Sequence, residues 1–219
     1  MTVILKLMRT LNILLLVCSC FAAQSQDRDF PDYRSKKENF LRMQEKDIRA
    51  DLASFTMGGM DESIGKGKLF SLPATNYGTD FITFSGNDIE VTIRAGVFDP
   101  SKHKVQLFNK KHVVKIDGKP YYGNYGEMPR TTIASVTMLI GKDSVVIPPA
   151  AYADLYEPDF TYRDASGQVK SYNKVYISPD KKKVYIYMLN RDDAGSYEVT
   201  WIIQDKKYLR RVVDFGFLK

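Results

Sequence analysis

The chain has few of the residues that most often identify a reaction. Its 219 residues include two cysteines, two histidines and one tryptophan. Because Cys18 and Cys20 are the only cysteines, the chain beyond them offers no disulfide, no thiol nucleophile and no cysteine-rich zinc site. No apolar run approaches the roughly 18 residues of a membrane-spanning helix. A hydrophobic fraction of 44% and a charged fraction of 26% exclude a disordered or collagen-like chain.

Residues 1–25 predict an export signal. Lys6 and Arg9 form a positive segment, residues 11–17 form a short apolar run, and small residues follow. The sequence Ala23-Gln24-Ser25 is typical of a signal peptidase site, so we expect cleavage between Ser25 and Gln26. The mature chain is then expected to be exported, to the periplasm or to the extracellular space.

A lipoprotein signal is the alternative interpretation of the same segment. The sequence Val17-Cys18-Ser19-Cys20 resembles a lipobox in which Cys20 is acylated, although Cys18 stands where a small residue is usual. Two acyl chains anchor a protein stably to a membrane. On this interpretation the protein is a membrane-anchored lipoprotein.

Residues 26–58 predict a mobile leader and then one amphipathic helix that packs on the rest of the domain. Between residues 33 and 55, four apolar side chains follow one helical stripe and charged side chains occupy the opposite face. The stripe consists of Leu41, Ile48, Leu52 and Phe55. Ser35 and Glu38 have the spacing of a capping box. A partner-binding or membrane-surface helix is the alternative for this pattern.

Residues 59–219 predict β structure in one domain. Short alternating segments are separated by turn residues roughly every 8–12 positions, which is typical of a sandwich or a barrel. Residues 85–88 predict a four-residue hairpin loop, and Asp117-Gly118 predicts a type I′ turn. We expect a mainly β fold, an antiparallel β-sandwich or open barrel of about ten to twelve strands after the N-terminal helix. An export signal before such a chain is similar, in general style only, to exported proteins of Gram-negative bacteria.

The strand predicted at residues 196–204 has two faces of different character. Alternation directs the apolar side chains of this strand to one face and its polar side chains to the other. The apolar face has Tyr197, Val199, Trp201 and Ile203, and the polar face has Glu198, Thr200 and Gln204.

We find no nucleophile, metal or cofactor motif, and we expect no enzymatic activity, no cofactor and no metal site. His103 and His112 lie among lysines, which disfavour the imidazolium that a general base must become. Three groups of carboxylates remain as candidates for acid–base chemistry. They are Asp61-Glu62, Glu157 with Asp159, and Asp192-Asp193 with Glu198. Paired carboxylates would support the alternative function, a hydrolase acting on a glycan.

Aromatic side chains are the candidate binding residues, because sugar rings stack on planar faces and the chain has 14 tyrosines. The candidate ligand-face aromatics are Tyr121, Tyr122, Tyr125, Tyr176, Tyr187 and Trp201. Strands also favour such residues intrinsically, so packing inside the fold is the alternative role. The formal net charge of +6 favours contact with anionic lipid or acidic polysaccharide, and we expect no nucleic-acid binding.

These features predict an exported cell-envelope or secreted β-sandwich protein that acts as a non-enzymatic binding or structural module. Its expected partner is a glycan or an envelope protein. The two alternatives are the glycan-acting hydrolase with paired carboxylates and the lipoprotein anchored through Cys20.

Overall fold

The computed structural model describes residues 31–32, 69–124, 126–191 and 197–215. This part of the chain is mainly β, with antiparallel sheets and no closed barrel, which confirms the predicted fold class at that level. No helix within these ranges is long and apolar enough to cross a membrane. Several predictions lie outside the described residues: the export signal, the lipobox, the N-terminal helix, Asp61-Glu62, Tyr125 and Asp192-Asp193.

The described strands are short, and four of them have only two residues. In chain order they are β1 (Pro31–Asp32), β2 (Phe70–Leu72), β3 (Ala74–Tyr77), β4 (Phe81–Gly86), β5 (Ile89–Val97), β6 (Val105–Phe108), β7 (His112–Ile116), β8 (Lys119–Pro120), β9 (Thr131–Ile140), β10 (Asp143–Val145), β11 (Tyr162–Arg163), β12 (Val169–Lys170), β13 (Lys174–Ile177), β14 (Lys183–Asn190), β15 (Tyr197–Gln204) and β16 (Lys207–Phe215). Single 3-10 turns span Pro100–Lys102 and Pro149–Ala151. The two-residue strands make this set larger than the predicted ten to twelve.

The strands form two larger sheets and two small ones. The six-stranded sheet has the order β1-β16-β15-β14-β13-β2, and the five-stranded sheet has the order β10-β9-β5-β4-β3. Strands β6, β7 and β8 form a three-stranded sheet, and β11 pairs with β12. Neighbours pair antiparallel except that β1 is parallel to β16. The pairing of β2 with β13 places residues 70–72 beside residues 175–177, far apart in sequence.

Hairpin turns form where the sequence predicts them, because turn chemistry is local. Asn87 and Asp88 have φ values of 51° and 58°, and they join β4 to β5. This two-residue turn is shorter than the predicted loop because residues 85 and 86 pair with the start of β5. Asp117 and Gly118 have φ values of 53° and 76°, as the predicted type I′ turn requires.

One hydrophobic core is shared by the two larger sheets. Ile186 and Trp201 come from the six-stranded sheet, Val91 and Ile93 come from the five-stranded sheet, and all four are 0% exposed. Each aliphatic side chain buried in this way stabilises the fold by about 1.5–3 kcal/mol relative to an exposed one. A smaller cluster lies under the three-stranded sheet and contains Phe98, Val113, Ile116 and Tyr156.

The six-stranded sheet is buried on both faces at β14 and β15. The predicted apolar face of β15 lies in the shared core. On the opposite face, Glu198 and Thr200 are also buried, at 2% and 1% exposed, and so are Tyr185 and Tyr187 of β14. These outer-face side chains belong to neither hydrophobic cluster of the described residues.

Candidate functional site

A groove with a cavity volume of about 580 Å³ runs along one margin of the described fold. One wall consists of residues 71–74, which join β2 to β3. The other wall consists of Tyr162 and residues 170–174, on β11, β12 and the segment that leads into β13. The non-local pairing of β2 with β13 brings the two walls together.

A stack of planar groups forms one wall of the groove. The rings of Tyr162 and Tyr172 lie parallel, with 4.1 Å between centroids and 11° between planes. The guanidinium of Arg191 lies 4.7 Å from the Tyr172 centroid, and its Nη1 donates to the Tyr172 hydroxyl at 2.6 Å. Tyr162, Tyr172 and Arg191 therefore form one cluster of planar groups, in which Tyr172 contacts both of the others.

A buried amide holds the wall in place. The Asn173 side chain is 1% exposed, and its Nδ2 donates to the carbonyl oxygens of Asp159 at 2.7 Å and Phe160 at 3.3 Å. Its Oδ1 accepts from the backbone N–H of Leu189 in β14 at 3.0 Å. These three bonds fasten the segment that precedes Tyr162 to the six-stranded sheet. Asn173 therefore positions the tyrosine stack.

The described lining of the groove contains two lysines, Lys170 and Lys174, and no carboxylate. Lys170 Nζ lies 2.7 Å from Asp164 Oδ2, outside the lining. This ion pair raises the pKa of Lys170 and holds the pKa of Asp164 well below its usual range. Lys174 and the hydroxyls of Ser71 and Ser171 add further polar groups. The arrangement combines an aromatic stack with cations and hydrogen-bonding hydroxyls.

The described candidate carboxylates have separate structural contacts. The Glu157 carboxylate accepts from the backbone N–H groups of Arg130 and Thr131, which fixes the start of β9. Glu198 accepts from the Tyr187 hydroxyl at 2.5 Å on the outer face of the six-stranded sheet. Asp159 is partly buried, and burial raises the pKa of its carboxyl while Arg191 opposes that rise. The surroundings of Asp159 thus favour the protonated form of its carboxyl.

His103 is paired with a carboxylate, a contact that its sequence neighbours do not indicate. Its Nδ1 lies 2.6 Å from Asp117 Oδ2, and its ring stacks on Phe98 with 4.6 Å between centroids. This contact is the largest cause that lowers the pKa of Asp117, followed by the N–H of Lys104. Among the described residues, no serine or threonine hydroxyl bonds to this imidazole. This pair holds the turn between β7 and β8 against the residues that precede β6.

Three of the predicted ligand-face aromatics lie on the six-stranded sheet. Trp201 is 0% exposed in the shared core, and its Nε1 donates to the Ala151 carbonyl at 2.7 Å. Tyr176 and Tyr187 lie on the opposite face, at 7% and 0% exposed. All three rings are therefore packed within the protein.

The other aromatic candidates follow β8. Tyr122 is 5% exposed, and its ring lies 6.4 Å from that of Tyr197. Tyr121 is half-buried, and its ring lies 5.4 Å from that of Tyr156. Tyr125 is outside the described residues. The described candidates therefore do not meet at one surface.

Tyr162 and Tyr172 form the groove and were not among the predicted ligand-face residues. A signal for them exists in the sequence, because they flank the turn-forming residues Asp164-Ala165-Ser166-Gly167. The arms of that hairpin pair Tyr162 with Lys170, two residues before Tyr172. Aromatic residues on both arms of a short hairpin are brought close by the turn itself.

Comparisons with known proteins identify no relative that suggests a function. No protein-family model, curated protein or solved structure matches this chain. In the described ranges, no group of three or more His, Cys, Asp or Glu side chains could hold a metal ion. The chemistry of the groove lining therefore carries the functional conclusion.

Proposed function

We propose that this chain is an exported, non-enzymatic binding module of the cell envelope whose groove binds an acidic glycan. The observation that carries the proposal is that the stacked Tyr162 and Tyr172 line one groove together with Lys170 and Lys174. A sugar ring can lie against the planar face of Tyr162, and the ammonium groups favour carboxylate or sulfate substituents. The core shared by the two larger sheets supports a face-to-face β-sandwich as the scaffold.

The lysines are expected to select the ligand more than to tighten its binding. Exposed ion pairs contribute about 0–1 kcal/mol each, whereas charge complementarity distinguishes partners of opposite sign. Lys170 is 50% exposed, so salt will screen its attraction for a ligand. Binding is therefore expected to weaken as ionic strength rises, and a neutral glycan is expected to bind less well than an acidic one.

Replacing Tyr162 by Ala tests the stacking surface. We expect this variant to bind a hexamer of a uronic acid about tenfold more weakly, since an aromatic contact of this kind contributes about 0.5–1.5 kcal/mol. Isothermal titration calorimetry with that hexamer, and with a neutral glucose hexamer, measures the difference. Tyr77→Ala is the matched control, because Tyr77 is 47% exposed on β3 and does not line the groove. Equal affinity of both variants for the uronic acid hexamer would contradict the groove as the site.

The partly buried carboxyl of Asp159 supports a second candidate function, that of a glycan hydrolase. A carboxyl whose pKa is raised by burial is the kind of group that acts as a general acid. A glycosidase also needs a second carboxylate about 5–10 Å away, and the described groove lining contains neither Asp159 nor any other carboxylate. Incubating the uronic acid hexamer with the protein and with Asp159→Asn distinguishes the functions. Cleavage that the variant loses would establish the hydrolase, and an intact hexamer supports the binding module.

The exported form can be identified from its mass. We expect the mature protein to begin at Gln26 and to occur in the soluble envelope fraction, since residues 1–25 have the order of a cleavable signal. Intact-mass measurement of the protein from each fraction checks this. A diacylated chain beginning at Cys20 in the membrane fraction would instead establish the lipoprotein alternative.

A further inference from the structure

A second surface lies at the tip of the β6–β7 hairpin, on residues that do not line the groove. Every residue from 106 to 112 is exposed. Phe108 is 61% exposed and Leu107 is 45% exposed, although both are large and apolar. Asn109 and Lys110 turn the chain with φ values of 50° and 59°, and the Lys111 N–H donates to the Phe108 carbonyl at 3.1 Å. The turn therefore presents two apolar side chains at the end of a tight ribbon.

Positive charge surrounds this tip. Residues 104–119 contain five lysines, at positions 104, 110, 111, 115 and 119, and one acidic residue, Asp117. Asp117 lies in the turn at the other end of β7, where it contacts His103 and the Lys104 N–H. The Val113 N–H donates to the Gly126 carbonyl at 2.9 Å, which joins the hairpin to a neighbouring loop. This loop adds one carboxylate, that of Glu127. The tip itself has two lysines and no acid.

The base of the hairpin is anchored. Val113 and Ile116 are 4% and 2% exposed, and they pack with Phe98 and Tyr156 in the cluster under the three-stranded sheet. A ribbon fixed at its base can present its tip without ordering a loop when a partner binds, which removes part of the entropic cost of association.

We propose that this tip docks on an anionic membrane surface. Leu107 and Phe108 enter the boundary between headgroups and acyl chains, and Lys110 and Lys111 contact the anionic headgroups. Consecutive strand residues point to opposite faces, so both apolar side chains can be buried only if the hairpin enters end-on. Charge alone would also suit an acidic polysaccharide, but a polysaccharide gives the exposed apolar pair no apolar phase to enter. The combination of an apolar tip with flanking lysines therefore favours the membrane.

Another lysine-bearing turn supplies a matched control. Lys181 and Lys182 lie in the turn between β13 and β14, and this turn has no exposed large apolar side chain among the described residues. It therefore offers two adjacent lysines, with Asp180 in the same turn, but no apolar pair. Phe108 and Leu107 are exposed, so their replacement by Ser is not expected to disturb the core.

Sedimentation with vesicles tests the docking surface. The full chain, purified in its exported form, is mixed with phosphatidylcholine vesicles that contain or lack phosphatidylglycerol. We expect binding only to the vesicles with phosphatidylglycerol. We expect the Leu107→Ser/Phe108→Ser and Lys110→Glu/Lys111→Glu double variants each to weaken it at least about tenfold. The Lys181→Glu/Lys182→Glu double variant is expected to bind within about twofold of the original chain.

Three results would overturn the membrane proposal. The first is unchanged binding of the Leu107→Ser/Phe108→Ser double variant, which would make the attraction purely electrostatic. The second is an equally large loss of vesicle binding in the Lys181→Glu/Lys182→Glu control, which would show that the attraction does not depend on the lysines of the tip. The third is binding to immobilised heparin, used as an acidic polysaccharide probe, without binding to either vesicle. A Phe108→Trp variant adds an independent readout, because its emission should shift to shorter wavelength when the tip enters the anionic vesicles.

Discussion

Replacing Asp154 by Ala is expected to lower the free energy of unfolding by about 3–5 kcal/mol. Arg211 Nη1 and Nη2 lie 2.5 and 2.7 Å from the two carboxylate oxygens of Asp154, and the two residues are 3% and 5% exposed. Without the carboxylate, the Arg211 guanidinium stays buried and loses its two-point ionic contact with Asp154. Arg211 and Trp201 also both donate to the Ala151 carbonyl, so movement of Arg211 disturbs the central tryptophan.

An exposed ion pair provides the control for this prediction. Lys206 Nζ and Asp143 Oδ2 are 2.7 Å apart, but the side chains are 57% and 66% exposed. Water and salt screen this pair, so Asp143→Ala should leave the unfolding free energy nearly unchanged. Urea denaturation of the original chain and both variants gives the comparison. Similar losses in the two variants would mean that burial of the Asp154–Arg211 pair does not govern its effect.

Replacing Asn173 by Ala is expected to destabilise the fold by about 3 kcal/mol and to abolish binding of the uronic acid hexamer. The variant leaves the Leu189 N–H and the carbonyls of Asp159 and Phe160 without the amide that satisfies them, and each buried unsatisfied group costs about 1–3 kcal/mol. The segment before Tyr162 is also released from the six-stranded sheet. Unfolding in urea measures the first effect, and calorimetry at a temperature where the variant remains folded measures the second.

Ser171→Ala separates this effect from a general disturbance of the groove wall. The Ser171 hydroxyl accepts one hydrogen bond, from the Asn173 N–H at 3.0 Å, so its loss should cost about 1 kcal/mol and leave Tyr162 in place. A folded Asn173→Ala variant that binds the hexamer as tightly as the original chain would show that Asn173 does not position the stack.

The hairpins were predictable because their information is local. Asp117-Gly118 needs only its own backbone preferences to form a type I′ turn, and the alternating residues beside it follow. The length of the turn at residues 85–88 was less predictable, because pairing with β5 decides where the strand stops. Local chemistry therefore located each turn, and cross-strand pairing fixed its length.

The sequence of β14 indicated that the six-stranded sheet is buried on both faces, whereas the alternation in β15 suggested burial of one face. Strand β14 is almost continuously apolar, which is typical of a strand buried on both faces. The neighbouring strand β15 alternates, yet its polar Glu198 and Thr200 are buried as well. The helix expected between residues 33 and 55 stays a prediction, since it lies outside the described residues.

The groove could not be read from sequence because its walls are distant along the chain. Ser71 reaches Tyr162 and Lys170 only through the register that sets Leu72 beside Val175. A propensity argument also cannot distinguish a tyrosine on a ligand face from one in the interior. For this reason it selected Tyr187 and Trp201, which are both 0% exposed, rather than Tyr162 and Tyr172.

The most direct measurement is an NMR titration of the isotope-labelled protein with the uronic acid hexamer. If the groove binds an acidic glycan, saturable shifts will concentrate at Ser71, Tyr162, Lys170 and Lys174. Tyr77 and Val97, which are exposed and do not line the groove, serve as the internal reference and should not shift. Shifts confined to the hairpin tip, or the absence of saturable shifts in the groove, would contradict the proposed glycan-binding function.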